Sequence, residues 1–296
     1  MSKLTLPHNY KTGYPSPRDK YEVAELWSDV FHDSPEYIEL FFNRVYKPEN
    51  TLVIKRDGFI VSALQMIPYQ LKIKKRIISV AYVCGVGTHP WERGKGLMRF
   101  LMRKAISEME YRGYEIAIVI PSEPSLFDYY RKFKFRHPID VCTGFHIIND
   151  NNLQNINDPY TIEACTKHHY PYFDRKQRER KRTILHDAYD FETILQEIRS
   201  DGGEAFVALE NNIPAGMAFA RKTAGKTTLI KEIFYDNDTI YQALYRHAGQ
   251  LFDAEYIKII LPKAHYQYKI PVPYGLVRYI NRCPILIDLH MSLMLD

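Results

Sequence analysis

The chain has 296 residues, of which 46% are hydrophobic and 25% charged, with a formal net charge of +5. This globular composition suffices for one large domain or two smaller ones. No run approaches the roughly 18 apolar residues of a membrane helix, the start of the chain has no signal-peptide core, and the four cysteines are widely spaced without a C-x-x-C pair. We therefore expect a cytoplasmic protein with no membrane partner and no metal.

The first elements follow from apolar spacing and from turn residues. Polar, proline-containing residues 1–17 are expected to be irregular. Apolar residues at helical spacing predict a helix over 18–32, and an N-cap serine followed by proline begins a second helix over 35–45. Two strands, 51–55 and 59–73, are then expected on either side of an Asp-Gly hairpin turn.

The most informative stretch follows these strands. An apolar run over 77–86 predicts a strand. It stops at a basic, glycine-containing turn over 90–96, and from Leu97 the apolar period becomes helical. Gly113 is expected to cap that helix at its carboxyl end, and a short apolar strand over 114–120 comes next. The order is therefore strand, glycine-rich turn, helix, strand.

The turn has the chemistry of an anion site. Gly94 and Gly96 let backbone N–H groups converge, and the following helix N-terminus adds unpaired donors and a partial positive charge. Arg93 and Lys95 add full positive charges. The turn is neither a Walker loop nor a dinucleotide fingerprint, because both spacings are absent. We expect it to hold phosphate oxygens.

Two motifs resemble the GNAT (Gcn5-related N-acetyltransferase) superfamily. Its acetyl-CoA motif, [RQ]-x-x-G-x-[GA], stands here as residues 93–98, with Met98 at the last position. Its Y-x-x-x-G-F signature stands as residues 130–135, with Lys134 in place of glycine. The Leu-Met-Arg continuation of the first motif is similar to the branch that contains the Eis-type ("enhanced intracellular survival") acetyltransferases.

The resemblance implies an α/β fold with a mixed, mostly antiparallel sheet flanked by helices. It implies an N-acetyltransferase that passes an acetyl group from acetyl-CoA, its cosubstrate, to a primary amine within a ternary complex. The cofactor-binding residues that it implies are Val86, Gly87, Thr88, Arg93, Gly94, Lys95, Gly96, Leu97 and Met98. A non-catalytic acyl-CoA-binding or sensor protein on the same fold is the alternative.

The resemblance also implies catalytic residues. Tyr130 would protonate the departing CoA thiolate, which a phenol of pKa near 10 can do; a packing role, or Tyr129 in its place, is the alternative. The sequence does not choose the general base, for which Glu123 and His89 are candidates. In the Eis-type branch the chain's own C-terminal carboxylate is the base, which here implies Asp296; a tail without chemistry is the alternative.

The second half of the sequence repeats the pattern in degenerate form. The Asn-rich segment over 150–158 is interpreted as a linker or a surface loop. We expect a domain over 1–150 and another over 151–296, which would be two GNAT-like modules in tandem. Where the first copy has its glycine turn, the second has residues 236–238, Asp-Asn-Asp, which would repel phosphate. The predicted elements of this copy are strands over 205–210, 213–221, 227–235 and 256–261 and a helix over 239–252.

The basic run over 175–182 has six basic residues and one acid. It would suit nucleic acid or the 3′-phosphate of CoA, but we favour a solvated helix face because no aromatic residues alternate with it. Nucleic acid is therefore not the expected partner. The acceptor amine stays open, whether aminoglycoside, polyamine, peptide N-terminus or lysine, and so does the oligomeric state, including a homo-oligomer.

Overall fold

The computed structural model of the chain describes residues 6–148, 160–262, 271–281, 289–291 and 293–294. Within them one mixed sheet has the strand order β1-β2-β3-β4-β5-β13-β6-β12-β11-β10-β9-β7, and β8 pairs with β3. The strands are β1 (Tyr10–Gly13), β2 (Thr51–Arg56), β3 (Phe59–Ile73), β4 (Arg76–Thr88), β5 (Ile116–Val119), β6 (His137–Ile147), β7 (Tyr160–Ala164), β8 (Arg182–Leu185), β9 (Gly203–Glu210), β10 (Ile213–Lys222), β11 (Thr227–Tyr235), β12 (Tyr256–Pro262) and β13 (Val272–Tyr279).

Helices cover both faces of this sheet. The helices are α1 (Lys20–Phe31), α2 (Pro35–Arg44), α3 (Leu97–Tyr111), α4 (Pro124–Arg131), α5 (Tyr170–Glu179), α6 (Ala188–Ser200) and α7 (Asp238–Leu251). None of them is long and apolar enough to cross a membrane. The predicted α/β class, with a mostly antiparallel sheet between helices, is confirmed.

Strand alternation divides the core of the first half into two layers. Val80 and Tyr82 of β4 face the cluster that contains α1 and α2. Ala81 and Val83, which point the other way, pack in the cluster that contains α3. This is the period of two expected of a strand buried on both faces, and it explains why the predicted run over 77–86 is continuously apolar.

Most boundaries in the first half agree with the sequence predictions. The Ser34 side chain caps α2 by accepting a hydrogen bond from the Tyr37 N–H at 3.2 Å. Gly113 follows α3 with a positive φ of 75°. The expectation that residues 1–17 are irregular was wrong for residues 10–13, because β1 pairs with β2 there. A four-residue polar strand at a sheet edge carries too little apolar pattern for detection.

The element order of the first half recurs in the second. The order β1-α1-α2-β2-β3-β4-α3-β5 corresponds to β7-α5-α6-β9-β10-β11-α7-β12, with β8 inserted between α5 and α6. In both halves the last two strands of the series are parallel and the preceding pairs are antiparallel. In the second half, the sequence analysis did not predict β7, β8, β13 and α6, and it anticipated α5 only as a helix face over the basic run 175–182.

The two halves exchange their last strands. β13, from the second half, pairs antiparallel with β5 of the first half. β6, from the first half, pairs antiparallel with β12 of the second half. β6 and β13 also pair with each other at the centre of the sheet. Each half therefore completes the sheet of the other.

Helices α2 and α6 add a second contact between the halves. The Arg44 guanidinium donates to the Thr193 hydroxyl at 2.7 Å and lies 4.3 Å from the centre of the Tyr189 ring. The Tyr189 hydroxyl in turn donates to the Arg44 carbonyl at 3.0 Å. The predicted linker over 150–158 lies outside the described residues.

The basic run over 175–182 is a solvated helix face only in part. Arg175 and Lys176 pair with Asp236 at 3.4 and 3.1 Å, on the exposed side of α5. The helix ends at Glu179, and Arg180 then turns inward to a buried carboxylate, that of Glu232, at 2.6 Å. The apolar spacing of the sequence could not predict this contact, because a single arginine that points into the core does not change the apolar period.

Candidate active site

The candidate site lies where β4 and β5 part. Val80–Val83 of β4 pair in parallel with Ile116–Val119 of β5. β5 then ends, whereas β4 continues to Thr88 with β3 as its partner. The five residues of β4 beyond Val83 therefore have no β5 residue beside them, and backbone N–H groups on that edge are available to a ligand.

A β-bulge shapes this end of β4. Ala63 of β3 pairs with Gly87 and Gln65 with Cys84, so Leu64 stands opposite two residues, Gly85 and Val86. Gly85 has a positive φ of 57°, and a Cβ atom there would lie 2.5 Å from the Trp27 ring. The glycine is required both by the backbone conformation and by the close approach of α1.

Replacing Gly85 with Ala should lower the free energy of unfolding by about 2–4 kcal/mol, since it adds left-handed strain and an overpacked Cβ. The Trp27 ring cannot move aside freely, because its N–H donates to Asp33 at 2.7 Å. Urea unfolding measures the loss. Gly113→Ala is the matched control: its φ is also positive, at 75°, but the added Cβ meets nothing within 4 Å. Equal losses for the two variants would contradict the role of the Trp27 contact.

The glycine turn leads directly into α3. Gly94 and Gly96 have positive φ angles of 80° and 79°. Gly96 is the N-cap of α3, and no side chain caps the helix. The first intrahelical bond runs from the Phe100 N–H to the Gly96 carbonyl. The earlier N–H groups of the helix thus have no capping side chain, which is the arrangement that binds anions.

The parted strands and the turn enclose one cavity of about 580 Å³. Predicted cofactor-binding residues and Tyr130 meet there: eight of the eleven predicted site residues line it, namely Val86, Thr88, Arg93, Gly94, Gly96, Leu97, Met98 and Tyr130. Gly87 is buried beside α1 instead, and its carbonyl accepts the Ser62 hydroxyl at 3.0 Å. The cavity is also lined by residues that the sequence analysis did not select, including Val30, Phe31, Arg99 and Leu126.

Lys95 points beneath the turn, to Glu92. The Glu92 side chain is only 4% exposed and accepts hydrogen bonds from Tyr10 at 2.7 Å and Arg56 at 2.5 Å. Lys95 lies 2.9 Å from the same carboxylate. Burial alone would raise the pKa of Glu92, but the hydrogen bonds from Tyr10, Lys95 and Arg56 outweigh it and lower the pKa to about 2. In the sequence, Glu92 is a single acidic residue in a basic turn, and this pattern does not predict its contacts with Tyr10, Arg56 and Lys95.

Tyr130 lines the cavity and is 5% exposed. Burial, and to a smaller extent the neighbouring Tyr129 and Cys84, raise its pKa above the ordinary value of 10.0. Burial also raises the pKa of Tyr129 to about 12. Both phenols are therefore protonated at neutral pH and can donate a proton.

The backbone around Lys134 supports the spacing of the second motif. Lys134 adopts a positive φ of 66°, the conformation that glycine adopts readily. The Phe133 and Phe135 N–H groups both reach the Tyr130 carbonyl, at 2.9 and 3.4 Å. Lys134 thus adopts, at the position where the Y-x-x-x-G-F signature has glycine, a backbone conformation that favours glycine.

The candidate bases lie in different places. Glu123 lines the cavity. His89 lines a neighbouring cavity and lies 3.8 Å from Asp29. Asp296 lies outside the described residues. Leu293 and Met294, which are described, are buried, and Met294 belongs to the same apolar cluster as Tyr82 and Cys84 at the end of the β4–β5 pairing.

Among the described residues, no group of three or more His, Cys, Asp or Glu side chains is arranged to hold a metal ion.

The chain is similar to known proteins in the sequence of one domain and in its fold. Residues 15–137 match the family model of the acetyltransferase (GNAT) domain. No curated protein matches the sequence. A probable N-acyltransferase from Enterococcus faecalis has a similar structure, with a TM-score of 0.74, 14% identity, and coverage of 92% of this chain and 73% of that one.

Two further structures share the fold. A GCN5-related N-acetyltransferase from Anabaena variabilis has a TM-score of 0.71 and 14% identity, over 92% of this chain and 73% of that one. Eis1 from Mycobacterium abscessus has a TM-score of 0.65 and 13% identity, with the same two coverages. At these identities the likeness concerns the fold.

The matched domain is that of an acyltransferase, and the solved structures share the fold of the chain. More particularly, residues 15–137, fewer than half of the chain, match the GNAT acetyltransferase domain. The resemblance stated from the two motifs is thereby confirmed.

Proposed function

We propose that the protein transfers an acetyl group from acetyl-CoA to a primary amine by direct attack within a ternary complex. The observation that carries this proposal is the continuity of one cavity. Its lining includes the glycine turn and the uncapped N-terminus of α3, which suit a pyrophosphate. The same lining includes the protonated phenol of Tyr130 and Val86 and Thr88 from the part of β4 that has no β5 partner.

The chemistry follows from these groups. The backbone N–H groups of β4 beyond Val83 would polarise the thioester carbonyl. The amine would attack that carbonyl carbon, and the bond from carbon to sulfur would break. Tyr130 would donate its proton to the departing thiolate. In this proposal a carboxylate of Asp296, or Glu123 from the cavity wall, takes the proton that the amine loses.

The two-module division at residue 150 is part of the same proposal. We expect no CoA at the second module, because α7 is capped by its own Asn237 side chain, which accepts the Ile240 N–H at 3.0 Å. Asp236 and Asp238 also place negative charge there. The second module would instead cover the acceptor. A cytoplasmic location is also part of this proposal, because the four cysteines of the sequence are widely spaced without a C-x-x-C pair.

Arg93→Glu tests the cofactor site. Arg93 lines the cavity, and its Nε donates to the Thr88 carbonyl at 3.2 Å. Reversing its charge beside a polyanionic ligand should weaken acetyl-CoA binding by about 10-fold or more, as isothermal titration measures. Arg131→Glu, on the exposed end of α4 and outside the cavity lining, is the matched control. Unchanged binding by Arg93→Glu would contradict the proposed site.

Turnover separates catalysis from binding. Thioester cleavage is followed with a panel of amines: aminoglycosides, polyamines, peptides with free N-termini and lysine peptides. Binding without amine-dependent cleavage would favour the alternative function, a non-catalytic acyl-CoA-binding protein on this fold.

A further inference from the structure

Glu92 places a negative charge directly under a turn built to bind anions. It belongs to the short 3₁₀ turn Pro90–Glu92, immediately before Arg93, and it lines the cavity wall as well. A carboxylate there repels a phosphate ligand. Its presence is therefore not explained by the charge of the site, and its contacts suggest another role.

The contacts of Glu92 join the turn to the sheet edge. One carboxylate oxygen accepts from the Tyr10 hydroxyl of β1 and lies 2.9 Å from the Lys95 ammonium group. The other accepts from Arg56 of β2. The Glu92 side chain, which is 4% exposed, thus contacts β1, β2 and Lys95, the residue between the two turn glycines. Charge-assisted hydrogen bonds of this kind are about twice as strong as neutral ones.

Gly94 and Gly96 make such an anchor necessary. Glycine has the widest backbone freedom of any residue, so a turn with two of them is flexible unless it is fixed by other contacts. No side chain caps Gly96, and Cβ atoms at Gly94 and Gly96 would meet nothing within 4 Å. Lys95 lies between them and is the residue that Glu92 holds.

We propose that Glu92 is a positioning residue of the cofactor site: it fixes the turn through Lys95 so that the N–H groups of the turn and of α3 point at the pyrophosphate. Because this role rests on the proposed function, its test must separate the two. Lys95 then contributes mainly through Glu92 and less as a direct phosphate ligand.

The variant Glu92→Gln distinguishes a positioning role from a simple charge effect, because the two predict opposite changes in the affinity for acetyl-CoA. If Glu92 acted only as a charge, its removal should tighten acetyl-CoA binding by about twofold. If it positions the turn, binding should weaken by about tenfold, since small misplacements of binding groups are costly. The value of kcat at saturating acetyl-CoA should stay within about twofold, because Tyr130 is not in contact with this network.

Two further variants keep the test decisive. Glu92→Asp keeps the negative charge but has a shorter side chain. Acetyl-CoA binding should therefore weaken if Glu92 positions the turn, and it should stay unchanged if only the charge of Glu92 matters. Tyr10→Phe removes one hydrogen bond without changing charge and should weaken binding by a smaller factor, about two- to threefold. Thermal unfolding confirms that each variant is folded at the titration temperature.

The outcomes of isothermal titration are distinct. Binding by the wild type, weakened in Glu92→Gln and Glu92→Asp, supports the role of Glu92. Binding by the wild type that is equal or tighter in Glu92→Gln overturns this role and leaves the proposed function intact. Absence of acetyl-CoA binding by the wild type overturns both.

Discussion

Replacing Tyr130 with Phe should lower kcat by roughly 10²–10⁴-fold, the contribution of a well-placed general acid, while the KM for acetyl-CoA changes little. The variant loses only the hydroxyl group, so the packing of α4 against the sheet is retained. Steady-state release of free thiol from acetyl-CoA, measured with a responsive amine, gives both constants.

Tyr129→Phe is the matched control for this prediction. Tyr129 is adjacent in sequence, lines the same cavity, and its ring lies 5.4 Å from that of Tyr130. It should keep most of the activity. If Tyr129→Phe is the inactive variant, the register of the second motif is shifted by one residue and the acid is Tyr129.

The pH dependence of kcat gives a further prediction with a definite direction. Because burial raises the pKa of Tyr130 above 10.0, the phenol stays protonated, and thus competent as an acid, at all pH values below about 10. We expect no alkaline loss of kcat from this residue between pH 7 and 10. A loss in that range that disappears in Tyr130→Phe would show an ordinary or lowered pKa.

Replacing Arg180 with Met should lower the free energy of unfolding by about 3–5 kcal/mol, the usual cost of removing one partner from a buried ion pair. Glu232 on β11 is fully buried, and Arg180 meets both of its oxygens, at 2.6 and 2.7 Å. His290 lies 2.8 Å from the same carboxylate. Urea unfolding of the full chain measures the loss.

Neighbouring and compensating variants control this measurement. Lys181→Met changes the adjacent, exposed residue and should shift stability by no more than about 0.5 kcal/mol. Arg180→Met combined with Glu232→Leu should recover part of the loss, because an apolar pair can replace a buried ion pair. A loss from Arg180→Met no larger than that from Lys181→Met would show that the pair contributes little.

The pH dependence of this effect has a definite sign. In the wild type, burial would raise the pKa of Glu232, but Arg180 and His290 lower it below 4.5, its value in the unfolded chain. The ionised carboxylate therefore stabilises the fold above about pH 4.5 and less as pH falls. Without Arg180 the folded-state pKa rises, so the gap in stability between wild type and variant should narrow on acidification.

Much of the first half could be predicted because its signals are local. The strand over 77–86, the glycine turn and the helix from Leu97 each follow from apolar period and turn residues. Seven of the eight predicted site residues that line the cavity do so because residues close together in one strand, turn and helix N-terminus are necessarily neighbours. Tyr130 joins them because α4 and the turn at Lys134 direct it back toward β4.

The remaining features depend on distant residues. Glu92 is an unremarkable surface acid in the sequence, and only the fold brings Tyr10 and Arg56 to it. β13 contains a proline and a glycine, which weaken its strand signal, and it is stabilised by pairing with β5 and β6. Arg180 looked like part of a solvated face because its buried partner, Glu232, lies on another strand.

The exchange of β6 and β13 also governs how the chain can fold as it is made. β5 is apolar and fully buried, yet its partner β13 is synthesised about 150 residues later, a delay of roughly 10–30 s at ribosomal rates. Throughout that interval the nascent chain presents an open, apolar strand edge, the kind that pairs with other chains. Yield in the cell should thus depend on elongation speed and on chaperones that shield the edge of β5 until β13 arrives.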